Sequence, residues 1–367
     1  MVKSVKIMHK YTFFLFEHGL YMGIFSTLPS FLVILRPKSV PLICRGALTY
    51  NILTIEFMGQ LIAIVVAVCW TGTALLADVA SRRVGASVLN VWRMLMALPL
   101  LWLTYYCLSG EVWPRDAGMT AWLWLLGSGF VGFVVGDYCL FHSYMVIGSR
   151  FGQLLMTLAS PFAAVSAYFI MGEGMGSTAV AGMFITMSGI AMSIMGRSEA
   201  VAEPGGKKYG WRERKIALRL PLRGVLLGIG AAMGQGVGLV LSKMGMLEWG
   251  ATGPDVAVAA TMMRGLMGLA GFSITLLVRG EQRDLLLPLK SRVSFLATAG
   301  SVILGPFVGV SLSLMAVSMT SSGVAQTLMS LTPVFIIWPS HVLFHSRVRA
   351  IEVVGAVIAV AGAMLLF

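Results

Sequence analysis

Residues 153–161 read QLLMTLASP, and residues 326–333 read QTLMSLTP. With one residue skipped, the two stretches match at Gln, at two leucines, at Met and at Pro, about 172 residues apart. An offset that recurs along a chain predicts two related halves. Further matches at nearly the same offset are Arg93 with Arg264, the glycines of 127–136 with those of 300–309, and Gly182 and Gly189 with Gly355 and Gly362.

The whole chain is strongly apolar. Hydrophobic residues make up 57% of its 367 residues, charged residues make up 11%, and the mean hydropathy is +0.86. A typical soluble domain is about 25% charged, so this chain cannot cover its surface with polar groups and must face lipid. The composition excludes a soluble enzyme, a disordered linker and a nucleic-acid-binding protein, despite a net charge of +12. Four cysteines without paired or metal-ligand spacing are expected to be packing residues: Cys44, Cys69, Cys107 and Cys139.

Ten stretches from Met58 onward are long enough to cross a bilayer, which takes about 20 mostly apolar residues. Short loops and uninterrupted apolar runs favour helices over barrel strands. We therefore predict an all-α integral membrane protein with ten transmembrane helices. The spans, numbered first to tenth, are 59–78, 87–108, 119–146, 152–172, 178–196, 224–242, 255–278, 294–319, 323–345 and 350–367.

A polar, basic loop at 198–223 separates a five-span repeat at 58–197 from another at 224–367. Because five is odd, two similar halves joined in series enter the membrane in opposite directions. Such inverted repeats are used by many secondary transporters, whose midplane cavity opens to each side in turn. The alternative is a duplication that made only a larger bundle.

The N-terminal extension, 1–57, does not fit the repeat. Its apolar stretch at 11–35 contains Glu17, His18 and Pro29. This stretch is either an additional signal-anchor helix or sequence upstream of a true start at Met58, and we assign it no function.

Several short motifs carry a family resemblance. They are Cys69-Trp70-Thr71-Gly72, Asn90-Val91-Trp92-Arg93, Ser160-Pro161 and Gly172-Glu173. From about residue 58 to the end, the chain resembles EamA-type members of the drug/metabolite transporter superfamily, which have two five-helix EamA domains. The resemblance implies a carrier of small organic solutes such as amino acids, metabolites or drugs. In the family a Pro in the fourth span is followed about twelve residues later by Glu, as Pro161 is by Glu173. The second half departs from this pattern, because His345 follows Pro333, and Gly234 occupies the place of Trp70.

Basic residues mark the loops that stay in the cytoplasm. Seventeen lie in the central loop and the loops on its side, whereas the alternate loops hold only Arg115 and Lys243. This bias predicts a cytoplasmic central loop and an external C-terminus, although relatives resembling this chain suggest that both termini are inside. We expect a multi-pass protein of the plasma membrane.

Charged residues at membrane depth are the first candidates for a site, because burying a charge in lipid is costly. Asp137 lies in the third span, and Arg93 and Arg264 lie in the second and seventh. We expect Asp137 to face a cavity, where it pairs with an arginine or titrates with a coupling proton. The alternatives are a structural ion pair, an Asp close to a helix end, and arginines that extend towards an interface.

Polar and aromatic side chains near these charges are further candidates. Tyr138 and His142 share one helical stripe beside Asp137, and His142 suits either proton coupling or a helix contact. Trp70 and Thr71 in the first span and Gln235 in the sixth suit substrate binding or packing.

Two symmetric pairs are candidates for a hinge or for cavity lining. They are Gln153 with Gln326, and Pro161 with Pro333. Proline removes a backbone donor and frees the carbonyl four residues earlier, which here belongs to Thr157 or Met329. The alternative is a kink that packs against neighbouring helices.

Together these features predict a secondary transporter whose partners are a small-molecule substrate, the lipid bilayer and a coupling proton. Nucleic acid is not among them, and the sequence leaves the oligomeric state open. No nucleotide-binding, HExxH or paired-aspartate motif occurs, so we expect no catalytic residue, no metal and no cofactor. The alternatives are an intramembrane enzyme acting on a lipid and a non-transporting membrane scaffold.

Overall fold

The computed structural model describes residues 42–196, 221–335 and 350–366. Within these residues the chain is helical and contains no strand, so the all-α prediction is confirmed. The helices are Leu42–Val84, Ala86–Ser109, Met119–Gly129, Tyr138–Met156, Ala159–Met171, Ser177–Gly196, Leu222–Trp249, Pro254–Val278, Arg292–Val302, Val310–Met319, Ser322–Met329, Thr332–Phe335 and Ala350–Met364.

Seven helical segments of the described residues are long and apolar enough to cross a membrane. Two shorter apolar helices, Ser177–Ser193 and Ala350–Met364, coincide with the predicted fifth and tenth spans. The ninth span, predicted at 323–345, extends beyond the described residues. The count of ten therefore stays a prediction, whereas the multi-pass helical class is established.

The chain divides into two compact units, Met1–Met58 and Gly59–Phe367. The apolar stretch at 11–35 lies outside the described residues. The helix of the first span begins at Leu42, 17 residues before its predicted start at 59. The helix follows Pro41 in the sequence. The prediction began at 59 because a few polar residues in the first turns of the helix interrupt the apolar stretch, but such residues do not end a helix. All contacts described below belong to the second unit.

The third and eighth spans each contain a π-helical segment at the same place in their repeat. These segments are Phe130–Asp137 and Ile303–Gly309. Each contains two of the glycines that match between the halves. In a π-helix the backbone bonds to the residue five positions away, and such segments often occur at functional sites.

The fourth and ninth spans both break just before their proline. One helix ends at Met156 and restarts at Ala159, and the other ends at Met329 and restarts at Thr332. The carbonyls that proline frees find other donors. The Ser160 backbone N–H donates to the Thr157 carbonyl at 3.2 Å, and the Thr332 hydroxyl donates to the Met329 carbonyl at 2.9 Å.

Equivalent spans of the two halves pack against each other in antiparallel fashion. In the fifth and tenth spans, a Cβ at Gly182 would lie 2.8 Å from the Gly362 carbonyl oxygen, and a Cβ at Gly189 would overlap the backbone of Ala359. The residue number increases along one helix while it decreases along the other, so the two helices are antiparallel. Glycine permits this close approach because it has no side chain.

The second and seventh spans repeat this arrangement. A Cβ at Gly265 would lie 3.1 Å from Leu98, and one at Gly268 would lie 3.2 Å from Met94. The broken fourth and ninth spans also meet, through the Ser160 and Ser330 hydroxyls 3.1 Å apart. Three pairs of equivalent spans, the second with the seventh, the fourth with the ninth and the fifth with the tenth, therefore face each other in this unit.

Candidate functional site

The centre of this unit contains a buried ion pair between the second and third spans. Arg93 Nη1 lies 3.0 Å from Asp137 Oδ2, and both side chains are less than a tenth exposed. The same nitrogen donates to Asn90 Oδ1 at 3.2 Å, and the guanidinium lies 5.2 Å from the Phe141 ring centroid. Arg93 therefore turns inward to its counter-ion and does not extend towards a helix end. The Arg93 Nε has no hydrogen-bond partner among the described residues.

Gln235 joins the sixth span to this pair. Its Nε2 donates to Asp137 Oδ1 at 2.7 Å and to the Gly132 carbonyl oxygen at 3.2 Å. Both carboxylate oxygens of Asp137 therefore have a donor. Gln235 lies close to the π-helical segment, since a Cβ at Gly136 would lie 3.4 Å from Gln235 Nε2. Three predicted candidates, Arg93, Asp137 and Gln235, thus form one cluster.

Arg264 in the seventh span lies beside the same π-helical segment but has no anionic partner there. Its side chain is only 3% exposed, and its guanidinium lies 4.8 Å from the Phe133 ring centroid. A Cβ at Gly132 would lie 2.8 Å from Arg264 Nη2. Nε has no hydrogen-bond partner, and none of the described residues forms a hydrogen bond or an ion pair with this side chain.

Trp70 has the same relation to the second π-helical segment that Gln235 has to the first. A Cβ at Gly309 would lie 3.0 Å from Trp70 Nε1. Gly309 matches Gly136, and both Gly234 and Gln235 lie next to Gly136, so the place of Trp70 in the second half stays as predicted from the sequence.

Arg93 likewise faces the second π-helical segment. A Cβ at Gly305 would lie 3.4 Å from Arg93 Nη2 and 3.0 Å from Thr73 Cγ2. Each buried arginine therefore lies against a glycine of the π-helical segment in the other half.

Thr71 lies in a contact between helices. Its hydroxyl donates to the Ala67 carbonyl at 2.9 Å and lies 3.1 Å from the Thr332 carbonyl. The Thr332 hydroxyl lies 3.3 Å from the same Ala67 carbonyl. These bonds join the first span to the helix that restarts before Pro333, so Thr71 supports the broken ninth span.

His142 and Tyr138 form a separate contact at the end of the seventh span. His142 Nε2 lies 2.7 Å from Arg279 Nη1, and Nδ1 lies 2.8 Å from the Tyr138 carbonyl oxygen. A guanidinium only donates, so Nε2 accepts and Nδ1 carries the proton. The imidazole is therefore neutral in this arrangement, with its ring stacked 4.0 Å from that of Tyr138. This is the helix contact that the sequence offered as the alternative to proton coupling.

Arg279 also binds Glu281, outside the membrane-spanning segments. Arg279 Nε donates to Glu281 Oε1 at 2.8 Å. Burial raises the pKa of Glu281, but hydrogen bonds from Ser87 and Arg279 and the charge of Arg279 outweigh it, so this pKa lies below its ordinary value. The hydrogen bond to Glu281 in turn raises the pKa of Arg279.

The two symmetric glutamines differ in their surroundings. Gln153 Nε2 donates to the Tyr144 hydroxyl at 2.5 Å, whereas Gln326 is buried at 2% exposure in the helix Ser322–Met329. Neither side chain bonds to the Arg93–Asp137–Gln235 cluster in the described part of the chain. Pro161 and Pro333 lie just after the two helix breaks, as a hinge would require.

Sequence reasoning did not single out a polar latch formed by Glu173, Lys243 and Ser322. Glu173 Oε2 accepts from the Ser322 backbone N–H at 3.1 Å and from its hydroxyl at 2.9 Å, while Glu173 Oε1 pairs with Lys243. Lys243 Nζ also donates to the Thr320 carbonyl at 2.8 Å. The carboxylate lies at the N-terminus of Ser322–Met329, where the helix dipole favours negative charge.

Lys243 was wrongly counted as a loop residue. It is buried within the helix Leu222–Trp249, because the apolar stretch that marks the sixth span stops short of its polar end. The spacing of Glu173 after Pro161 was a usable signal for the latch, since it belongs to the family pattern. Among the described residues, no three His, Cys, Asp or Glu side chains are grouped to hold a metal ion.

Helices of membrane length, an apolar exterior and a charged cluster at the centre define a multi-pass helical membrane protein. The model of the EamA-like transporter family matches residues 57–195 and 222–367. The two matches cover most of the chain and fall on its two halves. The chain belongs to the EamA-like transporter family.

Solved structures share this fold. One of them, described only as "Crystal structure of protein", aligns with a TM-score of 0.59 over 84% of this chain and 95% of its own, at 16% sequence identity. At that identity the likeness concerns the fold alone. No curated protein matches the chain.

Proposed function

We propose that this protein is a secondary transporter that moves a small organic solute across the plasma membrane by alternating access of two inverted repeats. The observation that carries the proposal is the Arg93–Asp137–Gln235 cluster, which lies between the two halves and beside both π-helical segments. Polar and ionisable groups held inside a membrane bundle mark a solute or ion pathway by default.

Antiparallel packing of equivalent spans supports the inverted repeat. Two five-helix units that enter the membrane in opposite directions must place equivalent helices antiparallel, as Gly182 with Gly362 and Gly268 with Met94 do. Bundles that enter in the same direction would place them parallel. The matched π-helical segments and the matched proline breaks add two independent signs of the repeat.

In this mechanism the halves move against each other around the central cluster. The Ser160–Ser330 contact joins the two helix breaks, and the Glu173–Lys243–Ser322 latch joins the halves nearer one membrane face. In the orientation predicted from the basic loops, that face is external. Releasing the latch would open the cluster outward. A coupling proton, if the carrier uses one, would compete with Arg93 for the Asp137 carboxylate.

The proposal is tested by flux in proteoliposomes that contain the full chain. If the protein is a carrier, we expect accumulation or exchange of at least one radiolabelled solute from a broad panel of amino acids, organic acids and drugs. The uptake should exceed that of vesicles without protein. Correctly folded protein that moves none of them contradicts a carrier. That result would favour a scaffold, and turnover of a lipid in the same vesicles would favour an intramembrane enzyme.

A further inference from the structure

In the part of the chain that the structure describes, the central cluster has one more positive than negative charge. Arg93 and Arg264 are both buried there, and Asp137 is paired with Arg93. Arg264 Nε has no hydrogen-bond partner, and no described acidic side chain forms an ion pair with this guanidinium. The cation therefore lies inside the bundle without the partner that its equivalent, Arg93, has.

The repeat explains how this asymmetry arises. Arg93 finds its counter-ion in the third span of its own half, at Asp137. The residue that matches Asp137 in the second half is Val310, 173 positions later, which is buried and apolar. Residues 336–349, which comprise the rest of the predicted ninth span and the loop after it, contain no Asp or Glu in their sequence. The second half has thus kept the arginine without its carboxylate.

An uncompensated buried guanidinium is costly, since the loss of hydration is not repaid by a partner. The Phe133 ring offsets part of this cost, as cation–π contacts do. That ring covers one face of the guanidinium and leaves its N–H groups at the edge. Edge-on N–H groups are the ones that bind a carboxylate through two parallel hydrogen bonds.

Gly132 lies against one edge of the Arg264 guanidinium. A Cβ at Gly132 would lie 2.8 Å from Nη2, so any larger residue would crowd that nitrogen. We propose that Arg264 binds the carboxylate of the transported solute, which is an organic monoanion. That the bound solute is also transported rests on the proposed function, but carboxylate binding at Arg264 is measurable without flux.

The test compares benzoate with benzamide, which has the same shape and no charge. The melting temperature of the purified full chain in detergent is measured at rising concentrations of each, because a ligand that binds only the folded state raises it. We expect benzoate, and not benzamide, to raise it. Arg264→Met should weaken apparent benzoate binding at least about tenfold, the effect of losing a charge-assisted hydrogen bond. Arg82→Met, at an exposed arginine paired with Asp78, is the matched control and should not change the response.

A second variant tests the inference without removing the arginine. Val310→Asp supplies the carboxylate that Asp137 supplies to Arg93, so it should abolish the benzoate response, while Val310→Asn should retain it. Equal stabilisation by benzamide, or a wild-type benzoate response in both Arg264→Met and Val310→Asp, overturns the inference. The absence of stabilisation by both benzoate and acetate also overturns it.

The two proposals fail separately. Flux of neutral or cationic solutes without carboxylate binding would contradict the anion site and leave the carrier intact. Carboxylate binding at Arg264 without flux of any solute would leave the site intact and contradict the carrier.

Discussion

At the scale of single residues, the Arg93–Asp137 pair differs from the surface pair of Arg82 and Asp78. The side chains of the first pair are 7% and 6% exposed, and those of the second are 73% and 35% exposed. Exposed pairs contribute about 0–1 kcal/mol. A buried pair contributes little when compared with apolar residues, but removing one of its partners leaves a charge without hydration. Replacing Arg93 or Asp137 is therefore expected to destabilise the protein more than replacing Arg82 or Asp78.

This difference gives a matched comparison. Asp137→Asn leaves Arg93, like Arg264, without an anionic partner, so we expect loss of transport and a stability decrease of about 3–5 kcal/mol. Asp78→Asn should change stability by less than about 1 kcal/mol. Thermal unfolding and proteoliposome flux measure both effects. Wild-type flux by Asp137→Asn would remove this carboxylate from the transport mechanism.

Glu281 provides a pH-dependent contact outside the spans. Its pKa in the folded protein lies below the ordinary value of 4.5, so the charged form stabilises the folded state above pH 4.5. That contribution decreases as the pH falls below this value and is lost once the pH passes through the lowered pKa. The melting-temperature difference between wild type and Glu281→Gln should therefore shrink between pH 6 and pH 3. A difference that stays constant over this range would contradict the assignment. Glu111→Gln, in an exposed loop, is the control.

At the scale of helices, glycines set how closely equivalent spans approach. Gly189 lies against the backbone of Ala359, whereas nothing lies within 4 Å of a Cβ built at Gly127. Both are helical glycines, so helix propensity affects them alike.

We therefore expect Gly189→Ala to separate the fifth and tenth spans and to destabilise the protein by about 1–3 kcal/mol, the cost of overpacking. Gly127→Ala should be neutral or stabilising by up to about 1 kcal/mol. Thermal unfolding of the two variants in one detergent makes the comparison. Equal effects would show that the predicted helix contact does not limit stability.

The helices also show what a sequence can and cannot reveal. The repeat could be predicted, because side-chain identity and apolar windows record it directly, whereas the sequence left open whether the arginines face inward or extend towards an interface. The proline breaks were expected for the same reason, since proline has no N–H. The π-helical segments were not expected, because their glycines read equally well as packing residues. The contact of Gln235 with Asp137, and the lack of one for Arg264, depend on how separate helices approach, which local sequence does not encode.

At the scale of the whole molecule, the account requires the two halves to exchange conformations around the central cluster. The latch is one described contact between the halves that such an exchange would break, since Glu173 belongs to the first half and Lys243, Thr320 and Ser322 to the second. Glu173→Gln removes the charge that attracts Lys243. It should therefore favour the conformation in which this face is open.

The most direct test measures the distance across the latch. Nitroxide labels at Gly174 and Ser321, in a background without the native cysteines, are followed by pulsed electron paramagnetic resonance after reconstitution in lipid. The account predicts two distances, a short one that dominates in the otherwise unaltered chain and a longer one that gains population in Glu173→Gln. A single narrow distance that is the same in both proteins, with and without solute, would contradict alternating access.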